Sequence, residues 1–477
     1  MLVSAWKSAL PLIVWLILNL IPHPSGLTAT AWSYHALFAA VVVGLVLEPI
    51  PASAVGLVGV AFATALGYVS SRPAEAIKWG LSGFSDTTVW LIFGALVFSN
   101  GYEKTGLGRR IALTLVKMLG KSTLGLGYAV MLADLLIAPV MPSNTGRSAG
   151  VIFPIVRSIP GLYGSEPGPT ARRIGSYLMW TAFATTTISS SLFLTALAPN
   201  LISVDLIGKL AGIDISWTQW LFGFLPVGLI LLVPLPLLVY RIYPPEVAAS
   251  PEVPAWAAAE LATMGRVTFK EVVLGFLILL AICLWAFGGD VISPTTVILV
   301  VLALMLLARV IDWGDVLGNR AAWDMLIFFA TLVTLADGLK TLGVVTWVSK
   351  GVSRILVDSP TLLAMIVLVA FYFLVHYLFA SLTVHATAVL PPLLAVGLAL
   401  PGMPARTYVL LLAYSLGLMG VLTPYATGPA FAYYGSGYIE RKDFWRLGFI
   451  FGCIFLATLL VVGMPSLLWM EGAIGGR

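Results

Sequence analysis

Two polar interruptions in long apolar runs carry the spacing in this sequence that suggests chemistry. Pro142-Ser-Asn-Thr-Gly-Arg147 breaks the run 122–160, and Ser381-Leu-Thr-Val-His385 breaks the run 359–400. Ser143, Asn144 and Thr145, and likewise Ser381 and Thr383, are residue types that cap the start of a helix. A helix starting just after each break would aim its free N–H groups and the positive end of its dipole at the break itself. Two such starts meeting from opposite faces would hold an anion with two negative ends. Any one Ser or Thr reads equally well as a plain helix cap; it is the shared register of the two clusters that points to a ligand. Arg147 and His385 each follow four residues after the leading serine. An arginine in the middle of a bilayer costs about 2.5–3.5 kcal/mol, so it calls for a partner. That partner can be a carboxylate ligand or Asp134 on the facing arm, and His385 can meet an anion or a backbone group. His376, five residues before Ser381, reads as a packing residue.

Each half carries a second break. The run 174–206 contains Thr195-Ala-Leu-Ala-Pro-Asn200, and the run 406–438 contains Thr423-Pro-Tyr-Ala-Thr-Gly-Pro429. Proline inside a helix removes a backbone donor and leaves a carbonyl unpaired. Pro199, Asn200, Thr423 and Pro424 are therefore candidates to line the same space as the two tips.

The elements that must position these residues are membrane helices. The chain has 477 residues, 60% hydrophobic and 10% charged. Soluble proteins carry roughly a quarter charged residues, so this composition calls for lipid around most of the outer face. Runs long enough to cross a bilayer lie near 8–22, 34–50, 52–70, 85–102, 174–206, 216–240, 271–288, 294–311, 323–342, 406–438 and 446–470. The expectation is an all-α polytopic membrane protein of about eleven spans. The two interrupted runs would add re-entrant hairpins, because a backbone break at membrane depth must face protein or water. The first apolar run leads into His23-Pro-Ser-Gly and not into a small-residue cleavage site, so it reads as a retained span. No Arg/Ser-rich transit segment is evident, and the expected location is a bacterial inner membrane. Most of the 26 Lys and Arg residues fall on one side if the N-terminus is cytoplasmic. The Pro-rich, charge-alternating stretch 241–270 reads as a cytoplasmic linker.

The halves repeat. Leu91-Ile-Phe93 recurs as Leu326-Ile-Phe328, Lys104 as Lys340 and Gly106 as Gly343. Ser143, Thr145, Arg147 and Pro154 recur 238 positions later as Ser381, Thr383, His385 and Pro392. In the expected topology the matching spans run in opposite directions, giving inverted repeats over 85–240 and 323–477, with scaffold helices at 1–84 and 271–322.

At these residues the sequence resembles the divalent anion–sodium symporter family, across nearly the whole chain after the first spans. The most specific stretches are APVMPSNTGRSAG (138–150), FASLTVHATAVLPP (379–392) and LTPYATGPAFAYYGSGY (422–438). The exchanger branch, which carries citrate, succinate, tartrate, malate or 2-oxoglutarate, is the most similar. The resemblance implies a homodimeric elevator carrier with a scaffold domain and a mobile domain holding both hairpins. Sodium-coupled members use Ser-Asn-Thr motifs at both tips. Here Ser143, Asn144 and Thr145 fit the first motif, whereas Leu382 replaces the expected Asn of the second. Arg147 and His385 stand where those members have small or hydroxylated residues. This favours a sodium-independent antiporter with Arg147 and His385 balancing charge in place of sodium; a sodium-coupled symporter on the same fold is the alternative.

Other classes find little support. Asp86, Asp134 and Asp337 form no paired-aspartate motif, and no Gly-x-Ser-x-Gly elbow or metal-ligand spacing is present, so neither enzyme chemistry nor a metal or cofactor is expected. Cys283 and Cys453 sit in apolar runs and suggest no disulfide. A net charge of +5, scattered, gives no nucleic-acid surface. The expected partners are small carboxylate anions and the lipid bilayer.

Overall fold

The computed structural model describes residues 2–289, 291–344, 346–347 and 360–475. The described residues form helices joined by turns, with no strand; residue 359, the expected start of the second hairpin, lies outside them. In chain order the helices are α1 (Leu2–Leu20), α2 (Ala29–Leu47), α3 (Ala52–Ala65), α4 (Pro73–Gly80), α5 (Thr87–Thr105), α6 (Leu107–Leu119), α7 (Thr123–Ile137) and α8 (Phe153–Ser158). They continue as α9 (Gly175–Leu192), α10 (Ala198–Ala211), α11 (Trp217–Leu232), α12 (Leu235–Ile242), α13 (Val253–Thr263), α14 (Phe269–Phe287), α15 (Pro294–Leu307) and α16 (Trp313–Gly318). The remainder are α17 (Arg320–Thr341), α18 (Thr361–Val375), α19 (Leu382–Leu398), α20 (Ala405–Met419), α21 (Gly428–Gly435), α22 (Arg441–Thr458) and α23 (Met464–Gly475).

Seven described stretches are long and apolar enough to cross a membrane, and five shorter apolar helices accompany them. The expected spans at 52–70 and 294–311 contain helices of only 14 residues, α3 and α15. Four helices lie outside the expected spans: α4, α6, α13 and α16. Of these, α6 turns Ala112, Leu113 and Val116 inward while Arg109 and Lys117 lie on its other faces. Helix α13 lies inside the expected linker and packs on α6. The segment before α13 is fixed to the base of α7: Thr123 N–H donates to the Ala248 carbonyl and Ser250 N–H to that of Lys121, each at 3.0 Å.

Local chemistry sets the helix ends. Asp86 caps α5 by accepting from Thr88 N at 2.8 Å, and Thr268 with Glu271 closes a capping box at the start of α14. Gly106 ends α5 with φ 74°, and Gly343 follows the end of α17 with φ 75°. A left-handed turn at each point suits glycine, which has no Cβ to clash.

Two groups of helices share the molecule. One comprises α1–α5 with α14–α17, in which α3 and α5 lie against α17, and α15 against α5. The other holds the interrupted runs and the broken spans. At its centre α9 is buried from Gly175 to Leu192, and α20 from Thr407 to Met419, each against the other. Small residues allow that approach, since α9 includes Thr185-Thr-Thr-Ile-Ser-Ser-Ser191. The groups meet where α10 packs on α5 and α17, and α19 on α2.

Candidate functional site

Both interrupted runs fold in the same way. The first arm of each ends in a 3₁₀ turn, Ala138–Val140 or His376–Leu378; an extended tip follows, and then a second helical arm. In the first run that arm opens as a π-helix, Thr145–Ile152, before continuing as α8. The arms lie side by side, with α7 against the π-helical turn and α18 against α19.

The two tips share one hydrogen-bond frame. Ser143 Oγ accepts from Gly146 N at 3.0 Å, and Ser381 Oγ accepts from Val384 N at 3.3 Å. The Ser143 carbonyl accepts from Arg147 N at 2.9 Å, and the Ser381 carbonyl from His385 N at 3.0 Å. The amides of Asn144, Thr145, Leu382 and Thr383 make no hydrogen bond to any described residue. They are the donors a helix start leaves over. Ser143, Thr145, Ser381 and Thr383 keep accessible surface, whereas Asn144, Leu382, Arg147 and His385 are buried.

The tips are tied to the broken spans. The first span unwinds over 193–197, where Ala198 N–H donates to the Pro142 carbonyl at 2.9 Å. The second unwinds over 420–427, and its Thr427 Oγ accepts from Asn144 Nδ2 at 2.9 Å. Gly428 abuts the first tip so closely that a Cβ there would collide with Thr145 Oγ1. The packing is exchanged between halves: the π-helical arm of the first run lies on α21, and α19 lies on α10. No hydrogen bond joins residues 143–147 to residues 381–385 among those described.

Arg147 does not stand as a free cation. It is fully buried, and its Nε sits 3.3 Å from both carboxylate oxygens of Asp134. Nη1 donates to the carbonyls of Met141 and Ala196 at 2.9 Å each, and Nη2 reaches Thr186, Ser189 and Ser190. Ser189 Oγ in turn donates to Asp134. The expectation that Arg147 offers its charge to a ligand is corrected by this geometry. Asp134 faces it across the run, and a guanidinium left without a fixed counter-charge there would carry a desolvation penalty of several kcal/mol. The cage is one of carbonyl, hydroxyl and carboxylate oxygens, the donor set a small hard cation requires, and the guanidinium fills it.

His385, at the equivalent position, has the opposite surroundings. It is fully buried, and neither ring nitrogen has a partner among the described residues. The rings of Tyr372, Phe379 and His376 stand around it at 4.5, 4.9 and 5.0 Å between centroids. His376, read as packing, has a specific bond: its Nε2–H donates to the Ala426 carbonyl at 2.9 Å, in the second unwound segment. Arg147 binds the Ala196 carbonyl in the first such segment, so each break has one exposed carbonyl held by a hairpin side chain.

The four break residues lie deeper than expected. Asn200 turns inward and donates to the carbonyls of Ser190 and Phe193, holding its own span at the break. Pro199 and Pro424 are buried, and Thr423 Oγ, also buried, accepts from Tyr425 N at 3.4 Å. Asn200 shows why a break needs a side-chain amide: unwinding exposes carbonyls that a nearby donor must satisfy. The hydroxyls of Thr186, Ser189 and Ser190 were missed from sequence. The six hydroxylated residues of Thr185–Ser191, interrupted by Ile188 alone inside an apolar span, were the available signal.

An all-helical fold with buried polar breaks at its centre is that of a polytopic membrane transporter. Solved structures agree on the fold: the YdaH transporter of Alcanivorax borkumensis superposes with a TM-score of 0.58 at 14% identity, covering 98% of each chain. An antimetabolite efflux pump of Neisseria gonorrhoeae, MtrF, gives 0.56 at 13% identity over 86% of this chain and 93% of that one. The chain belongs to the family described as the sodium:sulfate symporter transmembrane region, whose profile matches residues 2–471. It is 48% identical to the citrate/succinate antiporter of Escherichia coli K12, over 97% of this chain and 98% of that protein. It is 44% identical to the L-tartrate/succinate antiporter of Shigella sonnei, over 98% of each.

Proposed function

We propose that this chain exchanges one small di- or tricarboxylate, of the succinate, malate, 2-oxoglutarate, tartrate or citrate class, for another across a bacterial inner membrane without sodium. The observation that carries the reading is the pair of matched helix starts, with Ser143 and Ser381 as caps and the amides of Asn144, Thr145, Leu382 and Thr383 left over. Carboxylate oxygens are strong acceptors for such donors. The similarity to named carboxylate antiporters supports the same substrate class.

Sodium independence rests on the cage around Arg147. A covalently held guanidinium occupies oxygens that would otherwise suit a cation, and it cannot leave with the substrate. Exchange follows from the leftover donors. With substrate bound, carboxylate oxygens satisfy them. Empty, they would have to pass the apolar scaffold unpaired, at about 1–3 kcal/mol each. Four such groups total at least about 4 kcal/mol, which slows the empty return by roughly a thousandfold. In this reading both hairpins and both broken spans travel together against α1–α5 and α14–α17, as an elevator. The repeats at 85–240 and 323–477 are inverted, the scaffold makes a homodimer, and the N-terminus is cytoplasmic. Repeat symmetry draws support from the shared tip frame and from the matched turns at Gly106 and Gly343.

The test is counterflow. Proteoliposomes loaded with labelled succinate should release it when succinate, malate, 2-oxoglutarate, tartrate or citrate is supplied outside. Release driven equally by sulfate or phosphate would overturn the carboxylate assignment.

A further inference from the structure

A second cavity lies outside the group of hairpins and broken spans, where the start of α14 meets the end of α15. It measures about 590 Å³, and its lining includes Lys104, Lys270, Arg309, Asp312, Leu306 and Trp313. These two helices are consecutive and pack together, so Lys270 and Arg309 lie at one end of the pair, and the end of α14 and the start of α15 at the other. The acids here are already engaged. Lys104 binds Asp312 at 2.9 Å and Asp315 at 2.5 Å, and those two aspartates also cap α16. Among the described residues neither Lys270 nor Arg309 has an ion-pair partner. Arg309 holds a left-handed backbone, φ 55°, a conformation uncommon outside glycine.

What lies beside this basic pocket is apolar and bare. On α14, Phe269, Val272, Phe276 and Leu279 are 59–74% exposed and recur at helical spacing, forming one outward stripe. Leu307 at the end of α15 is 80% exposed, and Trp313 on the pocket rim 60%. Indole rings favour the level of lipid headgroups. A net positive pocket beside an outward apolar stripe, with an indole at the join, matches the layout of a phospholipid.

We propose that this pocket binds the phosphate headgroup of an anionic membrane phospholipid, with its acyl chains along the outward faces of α14 and α15. The charge complementarity is specific to an anionic lipid, since Lys270 and Arg309 would attract phosphatidylglycerol and give little to a zwitterion. The site is separate from the carboxylate tips, and its occupant need not be a transported species.

Native mass spectrometry of the purified full-length protein tests this. The protein is incubated in detergent with phosphatidylglycerol or phosphatidylcholine, with and without millimolar inorganic phosphate. The wild type should retain phosphatidylglycerol preferentially. Lys270→Gln with Arg309→Gln should reduce that preference by roughly thirtyfold, the effect of removing two cations at an anionic surface. Lys270→Arg with Arg309→Lys should keep it, which separates charge from misfolding. Arg441→Gln with Lys442→Gln, removing as much exposed charge from the start of α22, should also keep it. The proposal is overturned if the Lys270/Arg309 Gln variant retains the preference, or if the Arg441/Lys442 variant loses it equally. Displacement of the lipid by inorganic phosphate would also overturn it, by marking a free-anion site.

Discussion

The two hairpin tips share a backbone frame and differ in what stands behind it. At the first, Arg147 is surrounded by acceptors: a carboxylate, two carbonyls and three hydroxyls. At the second, His385 takes the same place with neither ring nitrogen partnered, inside a ring of aromatic groups. One tip is finished by polar partners within the protein, and the other is closed by aromatic packing. A duplicated frame thus carries an ion-pair anchor on one side and an apolar wall on the other.

The largest effect should come from breaking the anchor. Arg147→Met strands the Asp134 carboxylate in a buried site, and the expected loss is about 3–5 kcal/mol of stability. Thermal unfolding in detergent should show it, and Asp134→Leu added to Arg147→Met should recover much of the loss. A single variant as stable as wild type would mean that the two tips are not different in kind.

The second tip should tolerate a change that the first does not. His385→Phe keeps a ring among aromatic rings and strands no partner among the described residues, so it should cost far less stability than Arg147→Met. Thermal unfolding in detergent reads both, and a loss at His385 as large as that at Arg147 would make the second tip an anchor as well.

Much of this contrast was legible in the sequence, for physical reasons. A Ser/Thr cluster followed by helical sequence specifies a capped helix start, so both tips could be located. An arginine within an apolar run had to meet something polar, whereas the histidine in the same register meets no polar partner among the described residues. Which partner Arg147 takes was not legible, because Asp134 and a carboxylate ligand satisfy the same requirement. The distinction is made by Thr186, Ser189 and Ser190, which reach Arg147 from a span some forty residues away in sequence. The inward turn of Asn200 was hidden for a similar reason, since local sequence marks a break without saying which carbonyls it exposes. The helix α13 was obscured by the prolines flanking it, one of which, Pro254, occupies the first turn, where proline is tolerated.

Two smaller effects sharpen the comparison. Ser143→Ala and Ser381→Ala each remove one cap, worth about 1 kcal/mol, and should weaken substrate binding to a similar degree. Calorimetric titration that finds one loss several times the other would show that the shared frame is not shared in function. Thr427→Val removes the acceptor of the Asn144 amide and should cost about 0.5–1.5 kcal/mol, read as a drop in affinity at the first tip. An unchanged affinity would detach the second broken span from the ligand.

The central claim is that the Arg147 guanidinium, built into the first hairpin, stands where a co-transported cation would, so that substrate moves only against substrate. Uptake of labelled succinate into proteoliposomes, preloaded with unlabelled succinate or empty, and with sodium or choline outside, tests it most directly. The account expects rapid uptake into preloaded vesicles in either salt and almost none into empty ones. Strong uptake into empty vesicles that requires a sodium gradient would contradict it.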